Sequence, residues 1–150
     1  MAFWLMKSEP SVYGIDDLER DGRTTWDGVR NYQVRNLMRD EMRAGDQAFF
    51  YHSSCAEPGV VGVMELAGAA RPDPTQFDPG SDYFDPKSTR DEPRWLTVEV
   101  RFRQRLPRVI GLDELRKPRP LADLPVLRRG NRLSVTPVTP VQWRAILALL

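Results

Sequence analysis

A single cysteine, Cys55, and a single histidine, His52, stand among 150 residues, and each scarcity removes a class of architecture or chemistry. One cysteine makes no internal disulfide, so an ordinary core must hold the chain together. The expected compartment is a reducing one, cytoplasm in a prokaryotic-type cell or nucleus in a eukaryotic one. One histidine and one cysteine fall short of the three or four ligands that a zinc site needs at set spacings. No metal and no cofactor are expected. A nucleophile-base dyad would have to pair His52 with Ser53, Ser54 or Cys55 beside it, which is no triad signature. A polar strand-end residue that lines or orients a pocket describes His52 better, and no catalytic residue is assigned.

Long apolar runs are missing too. None approaches the roughly 20 residues of a membrane-spanning helix, so no membrane partner is expected. The opening "MAFWLMKSEP" has no basic leader and only a short apolar stretch, unlike a signal peptide. "GVVGV" lacks the glycine spacing of a nucleotide-phosphate loop, and no Gly-x-x-x-x-Gly-Lys occurs.

Lysine is scarce, since 19 of the 22 basic residues are arginine. Guanidinium groups favour planar, bidentate recognition, although a biased genomic base composition gives the same excess. The net charge of +1 hides an asymmetry: residues 1–93 carry 10 basic and 17 acidic side chains, residues 94–132 carry 11 and 4. The basic segment suits a nucleic-acid-facing surface, unless the fold intermixes the two in space.

What is present fits one globular domain spanning residues 1–150. Hydrophobic residues make up 41% and charged residues 29%, enough for a core without staples. "FWLM" (Phe3 to Met6) predicts a buried strand, and "GIDDLERDG" one or two helical turns from Ile15 to Arg20. From Tyr32 to Ala44, Val34, Leu37, Met38 and Met42 recur at helical spacing before Gly45, which predicts a helix. "QAFFYHS" and "GVVGVMELAG" follow as strands, the glycines permitting a bulge or close backbone approach. Residues 71–94, with five prolines and five aspartates, form a long irregular loop whose Phe77, Tyr83 and Phe84 must pack on something. "RWLTVEVRFRQRL" alternates cleanly as a strand, "GLDELRK" is a short helix, and "RLSVTPV" is a last strand. Thr139, Pro140 and Gln142 set a capping box for a C-terminal helix, with Val138 and Trp143 as its hydrophobic staple.

The densest chemistry lies in "WDGVRNYQVRN", residues 26–36. Trp26 and Tyr32 flank Arg30 and Asn31, aromatic faces beside a guanidinium and an amide, as a flat ligand such as a nucleobase needs. Equally, Trp26 can fill core space and Asn31 can cap the helix that follows. Lys7 and Ser8, at the end of a buried strand, suit a pocket mouth.

Taken in order, "WLMKSEP", "WDGVRNYQVRN", "GDQAFFYHS", "GVVGV", "DPKS", "PRW" and "RLSV", spread from residue 4 to 135, resemble the EVE domain family. The resemblance implies a mixed α/β, PUA-like fold, a curved mixed β-sheet closing into a pseudo-barrel surrounded by helices. Its relatives by fold include YTH readers of methylated adenine and SRA domains that hold flipped 5-methylcytosine. It therefore implies a non-catalytic partner of DNA or RNA that takes a methylated or hydroxymethylated base into a pocket. Carried over by block, the pocket residues are Lys7, Ser8, Trp26, Val29, Arg30, Asn31, Tyr32, His52, Ser53, Arg132, Leu133 and Ser134. Trp26 and Tyr32 would stack, Asn31 and Ser8 would read the base edge, and Arg30, Arg35 and Arg132 would hold phosphate, with Arg39 and Arg129 further along the nucleic-acid backbone. A general RNA-maturation accessory and, through the related ASCH domains, a hydrolase or nuclease remain as alternatives.

Overall fold

The computed structural model describes residues 1–150. In chain order it runs β1 (Phe3–Ser8), α1 (Ile15–Asp21), β2 (Arg23–Trp26), α2 (Tyr32–Asp40), β3 (Gln47–His52), β4 (Gly59–Leu66), β5 (Arg71–Pro72), β6 (Leu96–Gly111), α3 (Leu112–Leu115), β7 (Val135–Val138) and α4 (Pro140–Leu147), with short 3₁₀ turns at Pro74–Phe77, Arg119–Leu121 and Pro125–Leu127. The main sheet has the order β2-β6-β4-β3-β1-β7, with β5 pairing only to β6. β1 runs parallel to β3, and all other pairings are antiparallel.

Strand alternation explains why both sheet faces are covered. Trp4, Met6, Ala48 and Phe50 point into one apolar cluster with Ile15, Leu18, Val34 and Met38 of α1 and α2. Leu5, Phe49 and Tyr51 point into a second, closed by Leu115, Leu121, Trp143 and Ile146. Trp143 stacks on Phe49 with ring centroids 3.9 Å apart. The capping box at Thr139 and Gln142 is present. No helix is long and apolar enough to cross a membrane.

Register shifts bend the sheet. β3 and β4 slip between Phe50 and Tyr51, and β4 and β6 slip twice, around Gly62 and at Val63/Met64. A Cβ on Gly62 would lie 2.5 Å from Ile15 Cδ1, so glycine there lets α1 approach the strand. The curl brings β2, at one end of the strand order, to the same recess as the end of β1 near the other, as expected of a PUA-like pseudo-barrel.

Four elements depart from the sequence expectations. α2 ends at Asp40 rather than Ala44, because buried Asp46 accepts from the Arg43 and Ala2 amides and from Trp4 Nε1, drawing the chain out of the helix. Residues 23–26 form a strand, where the sequence predicted no element. The strand beginning at Leu96 continues through Pro107 to Gly111, while Arg132 to Ser134 precede β7 rather than joining it.

Candidate functional site

β1 ends and β2 ends at opposite walls of one cavity of about 500 Å³. Lys7, Ser8 and Glu9 come from the end of β1, Val12 and Tyr13 from the turn before α1, and Thr24 to Arg30 from β2 and the loop after it. Ser134 and Tyr83 complete it. Trp26 and Val29 also belong to the first apolar cluster, so the cavity opens on the end of that core.

Each wall is fixed locally. The Lys7 amide donates to the Ser134 carbonyl at 2.8 Å, tying two lining residues together through backbone. Ser8 Oγ donates to the Tyr13 carbonyl at 2.6 Å. Thr97 Oγ1 donates to the Trp26 carbonyl at 2.6 Å, and the Phe50 ring meets the Trp26 ring edge-on at 5.4 Å. Trp26 is only 8% exposed. It therefore serves as core and as cavity wall at once, the two roles left open by its sequence context.

The 71–94 segment supplies the facing aromatic. Gly28 adopts φ +79°, and a Cβ there would lie 2.6 Å from Tyr83 Cζ, so the Tyr83 ring rests on bare backbone. The segment is held by buried Asp73, whose carboxylate accepts from the Gly28 amide at 2.8 Å, from the Thr75 amide at 2.8 Å, from Thr75 Oγ1 at 2.6 Å and from Arg30 at 3.2 Å. Burial alone would raise the Asp73 carboxyl; these bonds, from Thr75, Gly28 and Arg30, outweigh it and hold it below the usual carboxylate range. Further along, Gln76 donates to the Asp73 and Trp95 carbonyls, and Trp95 Nε1 donates to Asp85 at 2.8 Å.

Six of the residues expected from the sequence line the cavity: Lys7, Ser8, Trp26, Val29, Arg30 and Ser134. Arg30 lines it without being available to phosphate. Its five N–H groups donate to the carbonyls of Val29 and Tyr83, to Asp73 and to Thr75, which exhausts a guanidinium. Those bonds fasten the 71–94 segment as a strap along the cavity and leave no guanidinium N–H free for the phosphate that the sequence expectation gave it.

The other six fall elsewhere. Asn31 Oδ1 accepts from the Val34 amide at 3.1 Å as the N-cap of α2, and Asn31 does not line the cavity. The Tyr32 ring packs on Trp95 at 4.7 Å, under the Arg35 guanidinium at 4.8 Å, and the aromatic ring of the 71–94 segment that lines the cavity is that of Tyr83. His52 Nε2 accepts from the Ile15 amide at 3.1 Å, committing its lone pair to the first turn of α1. Burial, the largest influence, lowers its pKa and keeps the ring neutral. Ser53 contributes its amide to the Ser8 carbonyl at 3.0 Å. Leu133 packs on the first cluster, and Arg132 is exposed in the turn that leads to Ser134. Of the remaining arginines, Arg35 is engaged by Asn36 and the Arg94 carbonyl, Arg39 pairs with Asp40, and Arg129 is exposed without an ion-pair partner.

Sequence reasoning missed Val12, Tyr13, Thr24, Thr25, Asp27 and Tyr83 as lining residues. For Tyr83 the available signal was an aromatic within a proline-rich loop, and Asp27 stood beside Trp26 in "WDGVRNYQVRN". Three lining groups carry charge without an ion-pair partner: Lys7, Asp27 and, exposed on the rim, Glu9. Lys7 is half-buried, makes no ion pair, and burial pulls its pKa down. The Asp27 carboxyl is pushed up, first by burial and then by the nearby Asp73 charge.

Comparison with known proteins places this architecture. The EVE domain family matches residues 2–149. Thymocyte nuclear protein 1 of Danio rerio is 44% identical, over 97% of this chain and 71% of that protein. A Pseudomonas syringae protein of known crystal structure is 50% identical, with a TM-score of 0.95 and 99% of both chains covered. The human THYN1 protein, solved in complex with DNA containing 5-methylcytosine, is 40% identical with a TM-score of 0.92, covering 99% of this chain and 97% of that one. With the curled sheet and the strap-walled cavity, these likenesses establish that the chain belongs to the EVE domain family.

Proposed function

We propose that this chain is a non-catalytic nucleic-acid-binding domain that takes a modified nucleobase, a methylated or hydroxymethylated cytosine or a base like it, into the cavity between β1, β2 and the 71–94 strap. The observation that carries this is the cavity itself. Its volume of about 500 Å³ lies within the range of small-ligand sites, and Trp26, Tyr13 and Tyr83 give it aromatic surface beside the hydroxyls of Ser8 and Ser134. The 40% identical human protein solved with 5-methylcytosine-containing DNA supports the same ligand class.

Extruding a base from a duplex costs a few kcal/mol, less from a single strand. Stacking, at about 1 to 3 kcal/mol per base, together with hydrogen bonds to the base edge, offsets it. The backbone of the nucleic acid runs past the exposed Arg128, Arg129 and Arg132, none of which is in an ion pair and which lead directly to Ser134. Such a function belongs in the nucleus of a eukaryotic cell and in the cytoplasm of a prokaryotic-type one. Titration with matched DNA and RNA oligonucleotides, with and without one modified base and at fixed salt, tests the proposal. It requires at least about tenfold tighter binding of one modified base than of its parent, near 1.4 kcal/mol; equal binding of every modified and parent pair would overturn it.

A further inference from the structure

Lys7 and Asp27 line the same cavity with opposite charges, yet neither is in a salt bridge, with the other or with any residue. All eleven ion pairs lie elsewhere, and the one nearest, Arg30 with Asp73, saturates Arg30. Neither side chain hydrogen-bonds to another residue; the Asp27 carboxyl has only its own backbone amide. The other charged groups of the cavity are Glu9, exposed on the rim, and Arg30. An anionic ligand would meet Asp27 and Glu9, and a cationic one would meet Lys7. What suits both groups is a neutral ring edge carrying a hydrogen-bond donor and an acceptor side by side.

The two groups are chemically one-sided. An ionised carboxylate only accepts, and an ammonium only donates. Cytosine and adenine each present an exocyclic amine next to a ring-nitrogen acceptor, whereas thymine, uracil and guanine place a carbonyl oxygen where the amine would be. Building on the base-cavity function above, we propose that Asp27 accepts from the exocyclic amine and Lys7 donates to the adjacent ring acceptor, so that the cavity selects amino bases and rejects keto bases. Asp27 is then a specificity-determining residue, and half-buried Lys7 gains a partner when the base arrives. Sites built to hydrogen-bond one polarity reject the opposite one far more strongly than apolar pockets reject a missing methyl.

5-Methylcytosine and thymine separate this from shape. They share the ring, the methyl group and the sugar attachment, and both edge contacts reverse polarity between them. The experiment is a competition titration with single-stranded oligonucleotides identical except for one base: cytosine, 5-methylcytosine, thymine, adenine or N6-methyladenine. It uses the wild-type chain, Asp27→Asn and Lys7→Met at one salt concentration, with melting curves to verify folding. The wild type binds 5-methylcytosine or N6-methyladenine at least about tenfold tighter than thymine, near 1.4 kcal/mol, and whichever modified base wins identifies the source of the amine. Asp27→Asn, whose amide can turn its NH₂ toward a carbonyl, narrows that preference to about threefold or less. Lys7→Met weakens the preferred modified base more than it weakens thymine.

If the wild type prefers a modified base over its parent but binds thymine equally well, or if Asp27→Asn keeps the full preference, the donor-acceptor assignment falls while the base cavity stands. If no modified base is preferred over its parent, the base cavity falls, and this inference with it.

Discussion

Arg30 grips the Tyr83 carbonyl oxygen with two nitrogens, Nε at 3.1 Å and Nη2 at 2.6 Å, across 53 residues of chain. An arginine that the sequence offers as a phosphate contact is in fact the fastening of the segment that walls the cavity. Replacing it with lysine keeps the charge but loses the planar fork. Arg30→Lys should therefore speed hydrogen exchange and proteolysis within residues 78–84 and weaken base binding, while the melting temperature falls only slightly. An unchanged exchange pattern in that segment would remove Arg30 from this role.

Asp73 makes the same fastening sensitive to acid. Its carboxyl is held below its unfolded value, about 3.9, so its contribution is fully present above that value and is lost as pH falls through the lower folded one. The stability difference between the wild type and Asp73→Asn should be greatest near neutrality and shrink below about pH 4, measured by urea unfolding at several pH values. A constant difference across that window would contradict it.

Asn31 separates folding from binding. As the N-cap of α2 it stabilises the helix, and Asn31→Ala should cost about 1 kcal/mol in urea unfolding. The affinity for a modified base should stay within about twofold, because Asn31 does not line the cavity. A large loss of affinity in a folded Asn31→Ala protein would restore it as a base reader.

His52 has a comparable structural role. Ile15 is buried, and its amide depends on the His52 acceptor; leaving a buried donor unsatisfied costs about 1 to 3 kcal/mol. His52→Phe should destabilise the chain by that order, while His52→Gln, which retains an acceptor, should recover part of it. The folded pKa of His52 lies below its unfolded value, about 6.5. Its contribution is complete above that pH and declines as pH falls through the folded value, so the His52→Phe penalty should shrink toward acid.

The parts of the fold legible in the sequence are those written in local chemistry. The capping box of α4 needs only Thr139, Pro140 and Gln142, and the strands at Phe3, Gln47 and Gly59 announce themselves as short apolar runs. The four residues of β2, "RTTW", are too few for a pattern of alternation, and their strand exists because β6 pairs with them, Trp26 opposite Val98. The cavity was legible only in part for the same reason. Lys7, Ser8, Trp26 and Asp27 sit in recognisable blocks, whereas Tyr13 and Tyr83 join them because the sheet curls and because Asp73 and Arg30 bind distant backbone. Asn31, Tyr32 and His52 share those blocks and are engaged as cap, packing partner and acceptor, and sequence order alone does not separate such uses from cavity lining.

The cavity's claim to a modified base is tested most directly by filling it. Ser134 lines the cavity, partly buried and with no side-chain bond to lose, so Ser134→Phe should occupy the space while the melting temperature stays near that of the wild type. Titrated beside the wild type against 5-methylcytosine and cytosine oligonucleotides at one salt concentration, the filled variant should lose the preference for the modified base and keep only weak, salt-sensitive binding through its arginines. Undiminished preference in a folded Ser134→Phe protein would place the base somewhere other than between β1, β2 and the strap.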